Sequence, residues 1–437
     1  MFNSERMFQH LKLEIQRQDF LKAWQTAEKT ALSRTMADIV NCIKINATPD
    51  GKVTLEATDI KTSVKCTANG VNVIEPGAAL LPVAILGGIL KKSTCDIFTL
   101  EVGDTKGMIN SEGSKTKFPV IPLENFPNIP ESDGADTICE ILSTELSRII
   151  TEGSIASSQP QDFPKYIGTC LLRTSEHSLK VVSTDGKRLS ISEVFCSVHK
   201  EDDVLLPASA LKDLAKQLGS YEENVTILAD GSTAWFSLEN VEFSIRRVDA
   251  AFPSYERILN NEIYTELNIQ CDKLMYAAER VDVIAKTSIS RIMVIDMKPD
   301  NQLRITARSN EYGITGEALE AEISGNPLQI GFNSGYFIDG LRALGQRDIV
   351  IEFSGKEEQT RMTRKDDSSF LYMLMPARLT NQDIIFDELD NDSLQKKQEE
   401  EPHEEYEGEE PHEEHEGEPH DEYEGEPHDE YEGEVNF

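Results

Sequence analysis

Short runs in which apolar and polar residues alternate recur along the chain at a nearly constant spacing. VTLEATD and LKVVSTD both end in Thr-Asp, and Thr58 lies 126 residues before Thr184. LRITARS begins 124 residues after Leu179, the first residue of LKVVSTD. Alternation of this kind predicts half-buried β-strands, and its recurrence predicts three copies of one structural unit.

Two amphipathic helices are predicted in each copy from the spacing of apolar residues. The first opens the copy, over residues 18–32, 143–156 and 271–285, and Ser143 and Asp272 are predicted N-caps. The second follows a short strand within LLPVAILGGILKK (80–92), LLPASALKDLAKQL (205–218) and IGFNSGYFIDGLRAL (330–344). Alternating runs with Gly or Asn turns lie between the helices and indicate antiparallel hairpins.

These patterns divide the chain into five segments. Residues 1–10 are an N-terminal extension, and Met7 is an alternative start because strand-like alternation begins only near Leu11. Three α+β domains are expected at 11–138, 139–265 and 266–379, each with two helices packed on antiparallel sheet. Residues 380–437 form an acidic tail with four PH(E/D)E(Y/H)EGE repeats, which begin at Pro402, Pro411, Pro419 and Pro427.

The tail is expected to be disordered, because its sequence offers too little apolar surface to form a core. A solubilising role is the default interpretation of such a charge run. Two alternatives remain open. His with a nearby carboxylate could bind Zn or Ni weakly, and the acidic chain could mimic DNA phosphates.

The net charge is informative only after the tail is set aside. The chain carries −35 in all, and residues 380–437 hold 25 acidic residues and two lysines, so most of the excess belongs to the tail. A body that is still acidic can bind DNA only if cations gather on one face. Basic residues recur on the predicted helices of all three repeats, although each one alone is more simply a solvated side chain: Lys91, Lys92, Arg148, Lys212 and Lys216.

Cysteine usage and hydropathy favour a cytoplasmic protein with no membrane partner. The seven cysteines are odd in number, scattered and never in a CxxC pair, which is typical of a reducing compartment. No run of about 18 apolar residues exists, and the N-terminus lacks the apolar core of a signal peptide.

Motifs for catalysis are missing from the sequence. GxxxxGK[ST], GxSxG and HExxH do not occur, and His10, His177 and His199 are too separated to suggest a relay. Asp185-Gly186-Lys187-Arg188 is explained more simply by a β-turn than by a phosphate or metal loop. We expect no enzyme activity, catalytic residue, metal or cofactor. The rival hypothesis is a metal-dependent nuclease or phosphatase that uses Asp59 and Asp185.

The stretch LYMLMPARL, residues 371–379, closes the globular part of the chain. Its methionines are flexible and polarizable, and they lie beside a chain end, where residues are seldom buried on all sides. The stretch is therefore either a final core strand stopped by Pro376 or a contact surface.

Four motifs together resemble the bacterial sliding clamp, the beta subunit of DNA polymerase III: STDGKRLSIS, FPSYERIL, IGFNSGYFIDGLRAL and the terminal MPARL. The resemblance covers about residues 11–379 in order. It implies a ring of two identical chains in head-to-tail contact, with six similar domains and helices that line a hole for duplex DNA. Phosphate contacts in such a hole are independent of base sequence and sensitive to salt.

The resemblance also implies site residues. A groove between domains two and three would bind partner peptides, with the strand 371–379 as one wall and Arg188 and Leu189 opposite. Its residues would be Ile167, Thr184, Gly186, Lys187, Arg188, Leu189, Pro253, Ile258, Met362, Met373, Met375, Pro376, Ala377, Arg378 and Leu379. Matched DNA positions are Arg34, Gln161, Lys165 and Tyr166. The dimer contact would join Phe118 and Val120 to Val283 and Ile284 of the other chain, and for these four core packing is the alternative.

The function expected is a replicative processivity clamp that tethers partners to DNA. The partners implied are duplex DNA, a second copy of the chain, the DNA polymerase III alpha subunit, a clamp loader, and other polymerases and repair proteins with clamp-binding peptides. The alternative is an auxiliary clamp paralogue whose His-rich tail binds metal or regulates access.

Overall fold

The computed structural model describes residues 10–31, 41–158, 164–260, 262–298 and 300–385. The predicted tail repeats, Arg34, Gln161 and most of the N-terminal extension lie outside these residues. Within the described part, no helix combines the length and apolar character needed to cross a membrane.

The first repeat contains two helices and nine strands among the described residues. The helices are α1 (Arg17–Ala31) and α2 (Val83–Lys92). The strands are β1 (Leu11–Gln16), β2 (Cys42–Ala47), β3 (Val53–Thr58), β4 (Thr62–Thr67), β5 (Val71–Glu75), β6 (Gly77–Pro82), β7 (Ile97–Val102), β8 (Lys106–Ser111) and β9 (Ser114–Pro119).

The second repeat has the same order of helices and strands. Its helices are α3 (Ser143–Gly153) and α4 (Ala208–Leu218). Its strands are β10 (Asp136–Leu142), β11 (Thr169–Ser175), β12 (Ser178–Thr184), β13 (Arg188–Phe195), β14 (Ser197–Val198), β15 (Asp203–Pro207), β16 (Asn224–Ala229), β17 (Thr233–Ser237) and β18 (Val241–Arg246).

The third repeat follows the same plan once more. Its helices are α5 (Cys271–Ala285) and α6 (Ser334–Leu344). Its strands are β19 (Thr265–Gln270), β20 (Ile292–Met297), β21 (Gln302–Ser309), β22 (Gly313–Glu320), β23 (Glu322–Gly325), β24 (Leu328–Asn333), β25 (Asp348–Phe353), β26 (Thr360–Arg364) and β27 (Asp367–Leu374). The α+β fold with two helices per repeat is as predicted.

The described residues form four antiparallel sheets, and two of them run across the junctions between repeats. A nine-stranded sheet joins the first two repeats where β4 pairs with β18, and another joins the last two where β13 pairs with β27. The other two sheets belong to the first and third repeats alone, in the orders β5-β1-β7-β8-β9 and β22-β21-β20-β24. Each junction is therefore held by a continuous backbone ladder.

Hydrophobic side chains on one face of the strands pack under the helices. Phe20 and Trp24 of α1 share a core with Phe98, and their ring centroids are 6.0 Å apart. Phe337 of α6 stacks on Phe332 in the third repeat, with ring centroids 5.6 Å apart. Within each repeat the two helices contact each other. Burial of these large rings stabilises the first and third repeats.

The predicted divisions before residues 139 and 266 lie within β10 and β19, since each strand begins before the helix signal that suggested the boundary. The predicted N-caps are wrong: Leu142 precedes α3 and Gln270 precedes α5, and the Ser143 hydroxyl donates instead to the Tyr221 carbonyl at 2.6 Å. Asn333 is a true cap, because its side chain accepts a hydrogen bond from the Tyr336 amide.

Candidate functional site: a groove between the second and third domains

The turn between β12 and β13 presents backbone at the junction of the last two repeats. Gly186 has φ +83°, a left-handed conformation that glycine adopts without steric cost. Asp185 Oδ1 accepts hydrogen bonds from the amides of Lys187 and Arg188 at 2.9 and 3.1 Å. Thr184 Oγ1 donates to the Arg188 carbonyl at 2.7 Å. The turn is thus fixed by its own side chains, and Gly186 and Lys187 remain exposed.

The last strand and the residues after it connect this turn to the third domain. Leu189 faces Met373 in the β13–β27 ladder. Beyond β27, the Met375 amide donates to the Lys187 carbonyl at 2.8 Å, and the Ala377 amide donates to the Gly331 carbonyl at 2.7 Å. The segment 375–377 therefore bridges the two domains.

Leu379 packs on Gly331 of β24. A Cβ atom added at Gly331 would lie 2.4 Å from Leu379 Cδ2, so glycine is needed for this close approach. Pro376 and Ala377 are half-buried between the two attachments, and Arg378 is exposed.

An apolar cluster forms the floor beside these residues. Leu189 and Met373 are buried in it together with Tyr255, and Phe252 packs against it from the loop that follows β18. On the same loop Pro253 is half-buried and Ile258 is 42% exposed. Met375, also 42% exposed, stands at the rim. Partly exposed apolar side chains above a buried floor are suited to the anchor residues of a short peptide.

Ile167 lies near this cluster because its chain neighbour, Tyr166, contacts Phe252. Tyr166 packs edge to face on Phe252, with centroids 6.1 Å apart. Ile167 is half-buried, and its carbonyl accepts from the Ser158 amide at 2.9 Å. We name as the domain 2–3 groove the surface formed by Ile167, Thr184, Gly186, Lys187, Leu189, Pro253, Ile258, Met373, Met375, Pro376, Ala377, Arg378 and Leu379.

Arg188 links the two domains. Its guanidinium donates to Asp185 at 3.0 Å and to Asp339 of α6 at 2.8 Å, and it lies 4.1 Å from the centroid of the Tyr336 ring. Burial alone would lower the pKa of Arg188, but Tyr372 and the two carboxylates outweigh it and raise the pKa above its ordinary value. The positive charge of Arg188 is therefore held between the second and third domains.

The structure corrects two predictions about the groove. Met362 is fully buried in the core of the third domain, facing Tyr372 across the β26–β27 ladder, so it does not line the groove. Alternation along β26 turns it toward the helices. Arg188 and Leu189 are also not on an opposite wall, because β13 is the neighbour of β27 in one sheet.

Sequence reasoning missed the two α6 residues that hold Arg188. Tyr336 and Asp339 are three residues apart, so they share one face of the helix. Both lie inside the IGFNSGYFIDGLRAL motif. The polar positions of that predicted helix were the signal available, but only the tertiary fold shows which arginine they meet.

Several cations predicted to face DNA are engaged with carboxylates of their own domain. Lys91 of α2 pairs with Glu28 of α1. Arg148 of α3 contacts Glu145 at 2.8 Å and Glu152 at 2.9 Å. These contacts hold the side chains in place while leaving them partly exposed.

The cations of the second domain's later helix differ in their surroundings. Lys216 pairs with Asp213 at 2.9 Å on the exposed face of α4. Lys212 donates to Ser157 Oγ at 3.0 Å, and burial lowers the pKa of Lys212.

The other described residues predicted to contact DNA lie outside α3 and α4. Lys92 and Lys165 are exposed, and Tyr166 is half-buried against Phe252.

The residues predicted for the dimer contact fall into two groups. The Phe118 ring is 2% exposed and packs over Gly107 of the neighbouring strand, so core packing accounts for it within one chain. Val120 is half-buried against the same core. Val283 on α5 is 54% exposed and Ile284 beside it is half-buried.

Comparison with known proteins agrees with this architecture. Three family models match in succession: the N-terminal domain of the DNA polymerase III beta subunit over residues 11–130, its central domain over 140–254 and its C-terminal domain over 256–378. A beta sliding clamp of Vibrio cholerae is 24% identical over 372 residues, covering 84% of this chain and 100% of that protein. One from Pseudomonas putida is 26% identical over 370 residues, covering 84% and 99%.

Solved structures share the fold. The DNA polymerase sliding clamp of Bacillus subtilis superposes with a TM-score of 0.80 at 23% identity, covering 85% of this chain and 100% of that one. The sliding clamp of Pseudomonas aeruginosa bound to griselimycin gives a TM-score of 0.78 at 23% identity, covering 85% and 100%. With three copies of one α+β unit joined by sheets across their junctions, the chain has the fold of these DNA sliding clamps. The chain belongs to the DNA polymerase III beta subunit family. Members of this family are processivity factors and not enzymes, and the alternative of a specialised paralogue is not favoured.

Proposed function

We propose that two copies of the chain close into a ring around duplex DNA and tether replication proteins through the domain 2–3 groove. The observation that carries the proposal is the match of all three family domains in order to the three structural repeats. A ring confines a bound partner to its template, so micromolar contacts suffice because rebinding is effectively intramolecular. The domains we assign are 11–135, 136–264 and 265–379.

We assign the domain 2–3 groove to peptides of partner proteins. Its apolar floor, exposed turn amides and rim methionine suit a peptide with one or two apolar anchors. The partners expected are the DNA polymerase III alpha subunit, a clamp loader, and other polymerases and repair proteins. The proposal places the protein in the cytoplasm with these partners.

The groove is tested with the double variant Met375→Ala/Leu379→Ala. Met375 stands at the rim and Leu379 packs on Gly331, so their loss removes apolar side chains without touching the β13–β27 ladder. We expect binding of the polymerase alpha subunit, measured by surface plasmon resonance, to weaken at least a hundredfold. Ile289→Ala, a change at a fully exposed side chain, is the matched control. Unchanged alpha-subunit binding by the double variant would refute the assignment.

We assign the DNA surface to cations on and beside the helices: Lys91, Lys92, Arg148, Lys165, Lys212 and Lys216. Arg34, Gln161 and Tyr166 are added by resemblance. Contacts with phosphates release counterions, so DNA affinity should fall steeply with salt and show no base preference.

We assign the ring closure to the free edges of the two outer sheets. Among the described residues, β9 pairs only with β8 and β22 only with β21. β9 carries Lys115 and Lys117, and β22 carries Glu320 and also Glu317, which is paired with Arg280 of α5. Edges of opposite charge would therefore meet in a head-to-tail dimer, chiefly through Glu320 on the β22 side. Val120 after β9 and Val283 and Ile284 on α5, which packs on β22, would flank this contact.

A further inference from the structure

The junction between the first and second domains repeats the hydrogen bonds of the groove turn. Thr58 Oγ1 donates to the Thr62 carbonyl at 2.8 Å and accepts from the Ile60 amide at 3.0 Å. Asp59 Oδ1 accepts from the amides of Lys61 and Thr62 at 3.0 and 2.7 Å. Each of these bonds has a counterpart in the turn between β12 and β13.

The strand pairing beside this turn is also repeated. Ser63 faces Ser244 in the β4–β18 ladder, at the place where Leu189 faces Met373 in the β13–β27 ladder. Two hydroxyl side chains thus replace two apolar ones on the floor.

The correspondence continues two residues further along each strand, at Arg246 and Met375. The Arg246 amide donates to the Lys61 carbonyl at 3.0 Å, as the Met375 amide donates to the Lys187 carbonyl. Arg246 therefore occupies the rim position that methionine holds in the domain 2–3 groove, and both Lys61 and Arg246 are exposed.

Ile60 is strained where the equivalent residue is glycine. It has φ +79°, and a β-branched side chain in the left-handed region is a genuine outlier. The residue is also 50% exposed, so about half of its surface lies in solvent. A backbone outlier that holds an apolar side chain in solvent is a reason to look for a binding role.

The remaining lining comes from the linker between the two domains. Pro127, Asn128 and Pro130 complete a notch with Ile60, Lys61, Ser63, Ser244 and Arg246. This described lining contains two cations and no carboxylate. We call it the domain 1–2 notch.

The notch opens on the side of the sheet away from the helices. Val64 and Phe243, which neighbour Ser63 and Ser244 along their strands, are buried in the core under α1 and α4. Because side chains alternate along a strand, the two serines point to the other face.

We propose that the domain 1–2 notch is a second docking site, which takes an extended acidic segment of a partner protein. Carboxylates of the segment would meet Lys61 and Arg246, and one aliphatic or aromatic side chain would pack on Ile60 and the prolines. The shallow hydroxyl floor disfavours the deep apolar anchors that suit the domain 2–3 groove. The inference takes that proposed groove as its template but concerns different residues.

The test uses the full chain and two pools of synthetic decapeptides at physiological salt. One pool holds Asp and Glu around a central Leu, Ile or Phe, and the other holds Lys and Arg around the same centres. We expect immobilised protein to retain the acidic pool at least tenfold better than the Lys61→Glu/Arg246→Glu variant does. Ile60→Gly should also reduce retention, while Lys52→Glu/Lys365→Glu, which changes the charge equally at other exposed sites, should not.

The outcomes separate this proposal from the proposed function. Met375→Ala/Leu379→Ala should leave retention of the acidic pool unchanged whether or not it weakens binding of the polymerase alpha subunit. Equal retention of the acidic pool by wild type and Lys61→Glu/Arg246→Glu would overturn the notch as a peptide site. Loss of duplex DNA binding by the charge-reversed variant, without a change in peptide retention, would assign the two cations to nucleic acid and would also overturn it.

Discussion

Ile60 and Gly186 lie at equivalent turn positions but differ in how easily they adopt the left-handed backbone conformation found there. Both have φ near +80°, which is costly for every residue with a Cβ. The sequence pattern identified Gly186, because TDGKR carries the glycine that such a turn requires. It could not identify Ile60, because TDIKT contains no residue that signals a left-handed conformation.

Replacing Ile60 by glycine should therefore stabilise the protein. We expect Ile60→Gly to raise the free energy of unfolding by about 1 kcal/mol, through release of backbone strain at a half-exposed site. Gly186→Ala should lower it by a similar amount, since a Cβ there meets no neighbour and only the strain changes. Urea unfolding followed by circular dichroism measures both. A loss of stability in Ile60→Gly would contradict the strain argument.

Asp282 makes stability depend on pH in the acid range. Its carboxylate accepts from Arg291 at 2.7 and 2.9 Å and from the Ser334 hydroxyl at 2.5 Å. Burial would raise the pKa of Asp282, but these bonds outweigh it and lower the pKa below the ordinary 3.8. A lowered pKa contributes stability above about pH 4, and that contribution is lost as pH falls through the pKa of the folded state.

The variant Asp282→Asn should show this directly. It should be less stable than wild type at pH 7, and the difference should shrink as pH falls below 4. Thermal unfolding monitored at several pH values is the measurement. A stability difference that stays constant down to pH 2 would exclude Asp282 as the titrating group.

At the scale of elements, a buried ion pair adds to the strand ladders that join the domains. Glu152 of α3 meets Arg364 of β26 at 2.5 Å, and both side chains are less than a tenth exposed. Arg364 also donates to the Leu344 carbonyl at the end of α6 and to Asp367. The pair therefore ties a helix of the second domain to the third.

Breaking this pair should cost more than breaking an exposed one. We expect Glu152→Gln to destabilise the protein by about 3 kcal/mol, because it leaves a buried arginine charge without its main partner. Glu145→Gln, which removes the other and more exposed partner of Arg148, should cost less than about 1 kcal/mol. Urea unfolding of the two variants gives the comparison, and equal costs would contradict the buried role of Glu152.

Repeats and helices could be predicted from sequence, whereas strand neighbours could not. The 126-residue spacing and the apolar periodicity are local signals, and α5 begins and ends at the predicted residues 271 and 285. Pairing of β13 with β27 depends on how two distant segments meet. For this reason the predictions that Arg188 lies on an opposite wall and that Met362 lines the groove were wrong. The groove turn and the terminal strand nevertheless lie side by side, as β13 and β27 show.

At the scale of the whole molecule, the outer sheets each leave an edge that a second chain can pair with. An unpaired edge strand exposes backbone amides and carbonyls that favour association. We expect Lys115→Glu/Lys117→Glu to weaken dimerisation at least tenfold, because like charges would face each other across β9 and β22. Sedimentation at micromolar concentrations measures this, with Lys52→Glu as the control. Sedimentation of the wild-type protein as a monomer would contradict the proposed two-chain ring.

Encirclement of DNA is the central claim, and topology tests it most directly. The full chain is loaded onto nicked circular DNA by a clamp loader, and the circle is then cut with a restriction enzyme while retention of the protein is followed. We predict that the protein stays on the circle for many minutes and leaves the linear DNA within seconds by sliding off its ends. Equally fast loss from circular and linear DNA would contradict the claim.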